Sequence, residues 1–502
     1  MTRWRGLRET LRRQVLGVVR NPDIQMIRDL IYLGLGQVGV KLVGFVIYAY
    51  LARTLSTADY GALEAVLAVV GLLMIMVDFG LGAAGVRYRA QHAGKPEAEE
   101  VIGVVVALRL ILSVICGTGL VIGVAVVLPG REMLMLASFL AVSLVLQSFG
   151  QEWLLQSLER MRDVALAQFL RTAVLAVTVL LMIRDTSQTA FFGLAEVVSV
   201  AVAMTFMWYA ARRAGARLRL SLRPGVVRPM LRLAAPLGTN ALMWGAAQFL
   251  PVVIVSSFGG LEAAAYFAAG QRLVVSLQAL SNIYHFNMYP ALTRRYFEGV
   301  GALVMLSLAS LRIVAWACVG PAIFVSAHAG AVMAAIYGEA FRAAGPVMAV
   351  LIFAIPVQIL SGHHRWALTA AGLNGRVLAS GVAGLTVSVL GCLTLTPAFG
   401  AVGAAFGVVL ATAAIWIVAM LFCTRAGFRI PILGRLARPI LAGAAATFLS
   451  GLVPYGAASE LITFVTIYVA IGLIVDQRRI YADLIHLAYS KKSRQADVSM
   501  ID

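Results

Sequence analysis

The chain predicts an all-α polytopic membrane protein with about fourteen transmembrane helices, and three features carry that prediction. Of its 502 residues, 61% are apolar and 13% charged, with a mean hydropathy of +0.89. That is far more apolar surface than a soluble core of this length buries. Apolar runs of about 18 to 27 residues recur from end to end, each long enough to cross a hydrocarbon layer of about 30 Å. The basic residues also alternate between connections. With a cytoplasmic N-terminus, alternate loops and the two ends hold 31 of the 41 Lys and Arg, counting Arg376 and Arg438 at the first residues of their spans with the loops, the opposite loops hold four (Arg53, Arg131, Arg184, Arg342), and six lie within spans. This asymmetry predicts a multi-pass protein of the inner (cytoplasmic) membrane with both termini in the cytoplasm. The net charge of +18 is then spread over one membrane face, where anionic lipid is the expected partner and nucleic acid is not.

In residues 1–28, Trp4, Leu7, Leu11 and Val15 share one helical side while Arg5, Arg8, Arg12 and Arg13 occupy others. The pattern predicts a helix lying in the cytoplasmic interface. A cleavable signal is not expected, because the first long apolar run begins only near residue 29. Spans are expected near 29–52, 62–84, 101–128, 133–156, 163–183 and 189–210, then a basic linker at 212–232. They resume near 233–257, 262–288, 303–326, 346–369, 376–396 and 401–423, and end with 438–455 and 460–476. Residues 477–502 form a cytoplasmic tail, in which Ile480 to Tyr489 followed by Lys491-Lys492 repeats the interfacial pattern in weaker form. A shift of 206 residues sets Tyr60 on Tyr266 and Arg89 on Arg295, and a shift of 203 sets Arg109 on Arg312. An even number of spans per half makes this a parallel repeat. The expected domains are an N-lobe at 29–211, a C-lobe at 233–425 and an added helix pair at 438–476.

Several chemistries find no support. Cys116, Cys318, Cys392 and Cys423 sit within spans or at their ends, so no disulfide framework is expected. The histidines lack metal spacing, and the adjacent His363-His364 point to different sides of a helix. No metal or cofactor is assigned. Gly34-Leu-Gly36-Gln-Val-Gly39 and Gly80-Leu-Gly82-Ala-Ala-Gly85 match a dinucleotide fingerprint, but both lie in membrane helices, where small residues allow close packing. The extracytoplasmic connections are short except for about 327–345, which is mostly small and apolar. No acidic, metal or base set is displayed there, so the chain is not read as an enzyme.

The polar residues of the spans form stripes. Gln37, Lys41 and Tyr48 share a face of the first span. A charge near the bilayer midplane costs at least ~2.5 kcal/mol, so that face looks into a bundle or a watery cavity. Span 7 carries Asn240, Trp244 and Gln248; span 8 carries Gln271, Gln278, Asn282 and His285; span 4 adds Gln147 and Gln151, and span 10 adds Gln358, Ser361 and Arg365. Each alone can serve helix-to-helix hydrogen bonding, and together they predict a hydrated interior. The basic residues within spans are Lys41, Arg109, Arg171, Arg272, Arg312 and Arg365. Arg365, near a cytoplasmic end, can snorkel, Arg109, Arg171 and Arg312 do so with more strain, and Lys41 and Arg272 lie deepest. The clear acids are Asp78 and Glu196, with Glu64 and Glu152 nearer span ends. Surplus positive charge suits an anionic headgroup, which makes Lys41, Arg272, Arg109, Arg312 and Arg171 substrate-binding candidates. Gln37, Asn240, Gln248, Gln271, Gln278 and Asn282 are the expected cavity lining. Asp78, as a lone carboxylate, is expected to carry a proton or pair with a cation such as Lys41, and with Glu196 is a candidate for coupling.

Leu51-Ala-Arg53-Thr-Leu-Ser-Thr-Ala-Asp59-Tyr60-Gly61, Val77-Asp78-Phe-Gly80-Leu and Glu152-Trp153-Leu-Leu-Gln156-Ser-Leu-Glu159-Arg160 resemble the Wzx-type polysaccharide flippases. Tyr266-Phe-Ala-Ala-Gly-Gln271-Arg272-Leu and Tyr337-Gly-Glu-Ala-Phe are similar to the second half of that family. It belongs to the multidrug/oligosaccharidyl-lipid/polysaccharide (MOP) exporter superfamily, which also includes the lipid II flippases. The resemblance implies two six-helix lobes around a central cavity lined chiefly by helices 1, 2, 7 and 8. It further implies a flippase that carries a polyprenyl-diphosphate-linked oligosaccharide from the cytoplasmic to the outer leaflet for O-antigen or exopolysaccharide assembly. Alternating access would be driven by an ion gradient or the membrane potential, since no nucleotide-binding motif is present. The implied partners are the lipid-linked oligosaccharide, anionic lipid and other polysaccharide-assembly membrane proteins. An ion-coupled multidrug exporter is the nearest alternative, opposed by fourteen spans and a basic interior. A membrane polysaccharide polymerase or ligase is the alternative from a different class.

Overall fold

The computed structural model describes residues 39–452 and 456–498. The described part of every predicted span is helical, three of them with a short break, and there is no strand among the described residues. The helices are α1 (39–54), α2 (Thr57–Asp78), α3 (Leu81–Gln91), α4 (Glu97–Val127), α5 (Arg131–Gln147), α6 (Glu152–Ser157), α7 (Met161–Met182) and α8 (Phe191–Arg213). They continue with α9 (Pro224–Phe258), α10 (Leu261–Glu298), α11 (Val300–Ala327), α12 (Ala329–Tyr337), α13 (Gly345–Leu351) and α14 (Ala354–Ala370), then α15 (Asn374–Arg425), α16 (Leu433–Ser450) and α17 (Ala457–Val498). Ten stretches among the described residues are long and apolar enough to cross a membrane by themselves. α15 holds two of the predicted spans in one run of 52 residues, divided at Gly400, whose φ of 57° lies in the left-handed region open to glycine. Large apolar side chains face outward, Ile474 at 83% and Val126 at 75% exposure, as a surface that meets lipid requires. The chain is a multi-pass membrane protein.

The chain divides into two compact units, one of Met1–Leu55 with Val69–Leu242, the other of Ser56–Ala68 with Met243–Asp502. α2 and α9 therefore each contribute to both. The first unit is built on Leu81, Tyr88, Val101, Val105, Trp153, Leu154 and Met207 from α3, α4, α6 and α8. α2 ends within it at Phe79 and Gly80, with φ of 36° and 74°. Gly80 adopts this without strain and also gives room, because a Cβ there would lie 2.7 Å from the Gly238 nitrogen. Gly82 and Gly85 pack as closely, with Cβ positions 2.9 Å from Arg109 Nη2 and 2.8 Å from the Trp153 ring. The 80–85 glycine pattern is thus a packing motif, and Gly34 and Gly36 lie outside the described residues.

The second unit packs Leu292, Leu303, Leu311, Leu360, Leu368, Phe428 and Ile430 into its main core. A second cluster of Trp316, Phe324, Ala442, Ala446, Phe464 and Tyr468 fastens α16 and α17 to α11. There Trp316 Nε1 donates to Asp476 Oδ2 at 3.1 Å and Arg438 pairs with the other carboxylate oxygen, so a buried acid is fully engaged. The cysteines Cys116, Cys318, Cys392 and Cys423 are free.

Candidate functional site

Each unit contains a polar cavity. That of the first is about 270 Å³ and is lined by Asp78, Arg109, Gln147, Glu152 and Arg171 among others. Asp78 closes α2, accepts a hydrogen bond from the Gly82 nitrogen at 3.3 Å and pairs with Arg109. Arg109 also donates to the Gly150 carbonyl at 2.9 Å, which the break between α5 and α6 leaves free of a helical partner. Arg171 pairs with Glu196, whose other oxygen lies 3.4 Å from Ser199 Oγ. These pairings correct two expectations. Asp78 is not a lone carboxylate and its partner is Arg109 rather than Lys41, because α4 packs against α3 while Lys41 is exposed on α1. Arg109 and Arg171 do not snorkel, since a carboxylate meets each of them within the unit.

The cavity of the second unit is about 440 Å³, within the range of roughly 300–1,000 Å³ usual for ligand sites. α9 supplies Trp244 and Gln248, α10 supplies Gln271, Gln278 and Asn282, α14 supplies Gln358, Ser361 and Arg365, and small residues of α15 close it. Apart from Asn240 and His285, the predicted stripes of spans 7, 8 and 10 thus converge in one place. Gln271 Nε2 donates to the Gln248 carbonyl at 2.8 Å. The side-chain amides of Gln278, Asn282 and Gln358 have no protein partner among the described residues, which leaves their donors and acceptors to a ligand.

Arg365 dominates the electrostatics of this cavity. Its guanidinium carbon stands 5.3 Å from the centroid of the Trp244 ring, and its Nε is buried without an acceptor. No carboxylate pairs with it among the described residues, and none lines the cavity. A cation–π contact contributes about 0.5–2 kcal/mol, whereas an uncompensated buried charge costs several kcal/mol. The balance favours an anion in the cavity. Snorkelling was the sequence expectation for Arg365, and the fold instead holds it under an indole of another helix. The signal was present in Gln358, Ser361 and Arg365, which share a face at steps of three and four.

Arg272 follows Gln271 by one residue, about 100° around the helix, and so turns from that cavity to Glu64. The pair is bidentate, with Nε–Oε1 at 2.5 Å and Nη2–Oε2 at 2.6 Å, and the Glu64 side chain is 5% exposed. Arg312 is half-buried on α11 and Asn240 exposed on α9, and neither lines the second cavity. Gln37 lies outside the described residues. The structure therefore joins Asp78, Arg109 and Arg171 around one cavity, with Glu196 behind Arg171, and joins Gln248, Gln271, Gln278 and Asn282 around the other.

Comparison with known proteins places these sites in context. Residues 26–295 match the family described as polysaccharide biosynthesis protein. A candidate O-antigen transporter of Shigella dysenteriae is 20% identical over 241 residues, which is 48% of this chain and 60% of that protein, so less than two thirds of the relative is spanned. The solved structure of the lipid II flippase MurJ in an inward closed conformation aligns with a TM-score of 0.70 at 10% identity, covering 90% of this chain and 100% of that one. An inward-facing multidrug resistance transporter of the MATE family aligns with a TM-score of 0.56 at 17% identity, covering 79% and 94%. Both likenesses are of fold. With more than half of its length matched, the chain belongs to the polysaccharide biosynthesis protein family, and its helices take up the fold of the MOP-superfamily transporters.

Proposed function

We propose that the chain is a flippase that moves a polyprenyl-diphosphate-linked oligosaccharide from the cytoplasmic to the outer leaflet for surface polysaccharide assembly. The fold shared with a lipid II flippase and the O-antigen transporter relative support the class. The observation that carries the reading is Arg365, a cation with no carboxylate partner among the described residues, in a cavity where the amides of Gln278, Asn282 and Gln358 are free. An acidic group of a saccharide headgroup supplies the missing counter-charge through the guanidinium fork. Gln278, Asn282 and Gln358 then bond hydroxyls in either sense, and Trp244 offers an apolar face to a sugar ring. A cationic drug calls for the opposite arrangement, carboxylates in the cavity wall. The lipid chain stays in the bilayer.

Coupling belongs, on this reading, to the first unit. Protonating Asp78 or Glu196 frees its arginine, and the rearrangement that follows is one that an ion gradient can bias. The test is flipping of a defined lipid-linked oligosaccharide in proteoliposomes. Arg365→Ala should slow flipping at least tenfold at equal reconstituted protein, and Arg365→Lys, which keeps charge without the fork, should retain part of the rate. Wild-type flipping by both Arg365→Ala and Trp244→Ala would sink the proposal.

A further inference from the structure

Behind the wall of the second cavity lie imidazoles that the proposed binding step does not use. His285 on α10 and His363 on α14 are each 3% exposed, with ring centroids 5.5 Å apart and planes at 79°. Helical register puts them there. His285 follows Asn282 by three residues and His363 sits between Ser361 and Arg365, so the same two helices form the wall and the pair. Gly362 admits the ring, since a Cβ at that position would lie 2.1 Å from His285 Nε2.

The hydrogen bonds define what the pair can accept. His285 Nδ1 lies 2.8 Å from the Ser281 carbonyl, and because a carbonyl only accepts, Nδ1 carries the hydrogen. Nε2 of neutral His285 then keeps its lone pair, buried and without a partner. His363 Nε2 is 3.1 Å from the Tyr284 hydroxyl, and its Nδ1 is likewise buried and unpartnered. The backbone carbonyl of Ile359 lies beside both rings and that of Leu360 beside His363.

The charged neighbour of His285 is Arg365. His364 adjoins His363, with its Nδ1 occupied by the Trp416 indole at 3.3 Å, and Trp366 stacks on His285 at 6.3 Å. From α11, Ser310 and Cys318 face Tyr284, and from α15 the Cys423 thiol bonds the His364 carbonyl. No carboxylate bonds any of the three imidazoles among the described residues.

We infer that the His285–His363 pair is a proton-binding site that takes up one proton together with the anion held by Arg365. The inference rests on the reading of the Arg365 cavity as the anion site. In the empty cavity an imidazolium would face the arginine charge across a low-dielectric wall, and the two repel. An anion on Arg365 cancels that field, and the proton from bulk water then adds to the free nitrogen of one ring. The closeness of the rings keeps a second proton off. Linkage is reciprocal, so the proton tightens anion binding by the factor by which the anion tightens proton binding. The complex that crosses the membrane consequently carries one negative charge fewer than the headgroup alone.

The experiment is calorimetric titration of the full-length protein in detergent with glucose 6-sulfate, an anionic sugar whose charge is constant between pH 5.5 and 8. Wild-type affinity should rise as pH falls, by up to about tenfold per unit for one linked proton. Heats measured in buffers of different ionisation enthalpy should count the uptake of one proton, which requires no substitution. The double variant His285→Gln/His363→Gln should flatten the profile at the wild-type high-pH affinity, whereas His364→Gln should keep the slope. Arg365→Gln should abolish binding at every pH. If it does not, or if the wild type fails to bind, the cavity reading falls and takes the inference with it. If binding needs Arg365 but shows no proton uptake and no pH dependence, the cavity reading stands and the proton site is refuted. Loss of the slope in His364→Gln would refute its assignment to the His285–His363 pair.

Discussion

Replacing Glu64 by Gln should measure what holds the start of α2 in the second unit. The carboxylate receives both arms of the Arg272 fork at 2.5 and 2.6 Å, with side-chain exposures of 5% for Glu64 and 28% for Arg272. Removing one partner of a buried ion pair costs about 3–5 kcal/mol, because the other charge remains without compensation. The partial exposure of Arg272 lets water recover some of that loss, so the lower end, about 3 kcal/mol, is expected. For a unit of this size each kcal/mol shifts Tm by about 2–4 °C, which gives a fall of roughly 6–12 °C. The readout is fluorescence-monitored thermal unfolding in one detergent at a fixed scan rate, since chains of this size unfold irreversibly. Glu64→Leu combined with Arg272→Met removes both charges and should be far less damaging than either single change, with a coupling energy on the order of 3 kcal/mol. Single variants within a degree of the wild type, or a double variant equal to their sum, would refute the reasoning. The double variant also separates roles: a stable protein that no longer flips would make Arg272 a headgroup ligand as well as an anchor.

Further substitutions address the remaining links. Gly103→Ala places a Cβ 1.7 Å from the Arg219 carbonyl oxygen, a backbone atom, so it should destabilise the first unit by at least about 1–3 kcal/mol in the same melt. Gly123→Ala meets nothing within 4 Å and should be neutral or slightly stabilising. Asp476→Asn weakens the contact of the buried acid with Arg438 and Trp316 and should raise protease sensitivity in α16 and α17 while leaving the first unit intact. Asp78→Asn should abolish the response of flipping to an imposed ion gradient while keeping the pH dependence of anion binding carried by His285 and His363, and an unchanged gradient response would exclude Asp78 from coupling. Single cysteines at Thr57 and Thr186, in a background lacking the native four, should react with an impermeant thiol reagent from outside while Gly215 does not, and labelling of Gly215 in intact cells would reverse the assigned orientation.

Sequence alone determined where the apolar helices lie, because a helix in lipid satisfies its own backbone and must be apolar over a fixed length, both of which are local properties. It also determined the polar stripes on spans 7, 8 and 10, since helical periodicity fixes which residues share a face. Periodicity does not say which helices are neighbours. The partners Asp78 and Arg109, Arg171 and Glu196, and Glu64 and Arg272 are 31, 25 and 208 residues apart, and only packing brings them together. Depth along a span is a single coordinate, so it marked Arg272 as a deep cation in want of an anion and Arg365 as one near enough to water to escape. The tertiary structure supplied the partners that depth could not, because a charge in a membrane is governed by the rotation of its helix and the side chains facing it: Glu64 meets Arg272, and Trp244 covers Arg365, which no acid meets among the described residues.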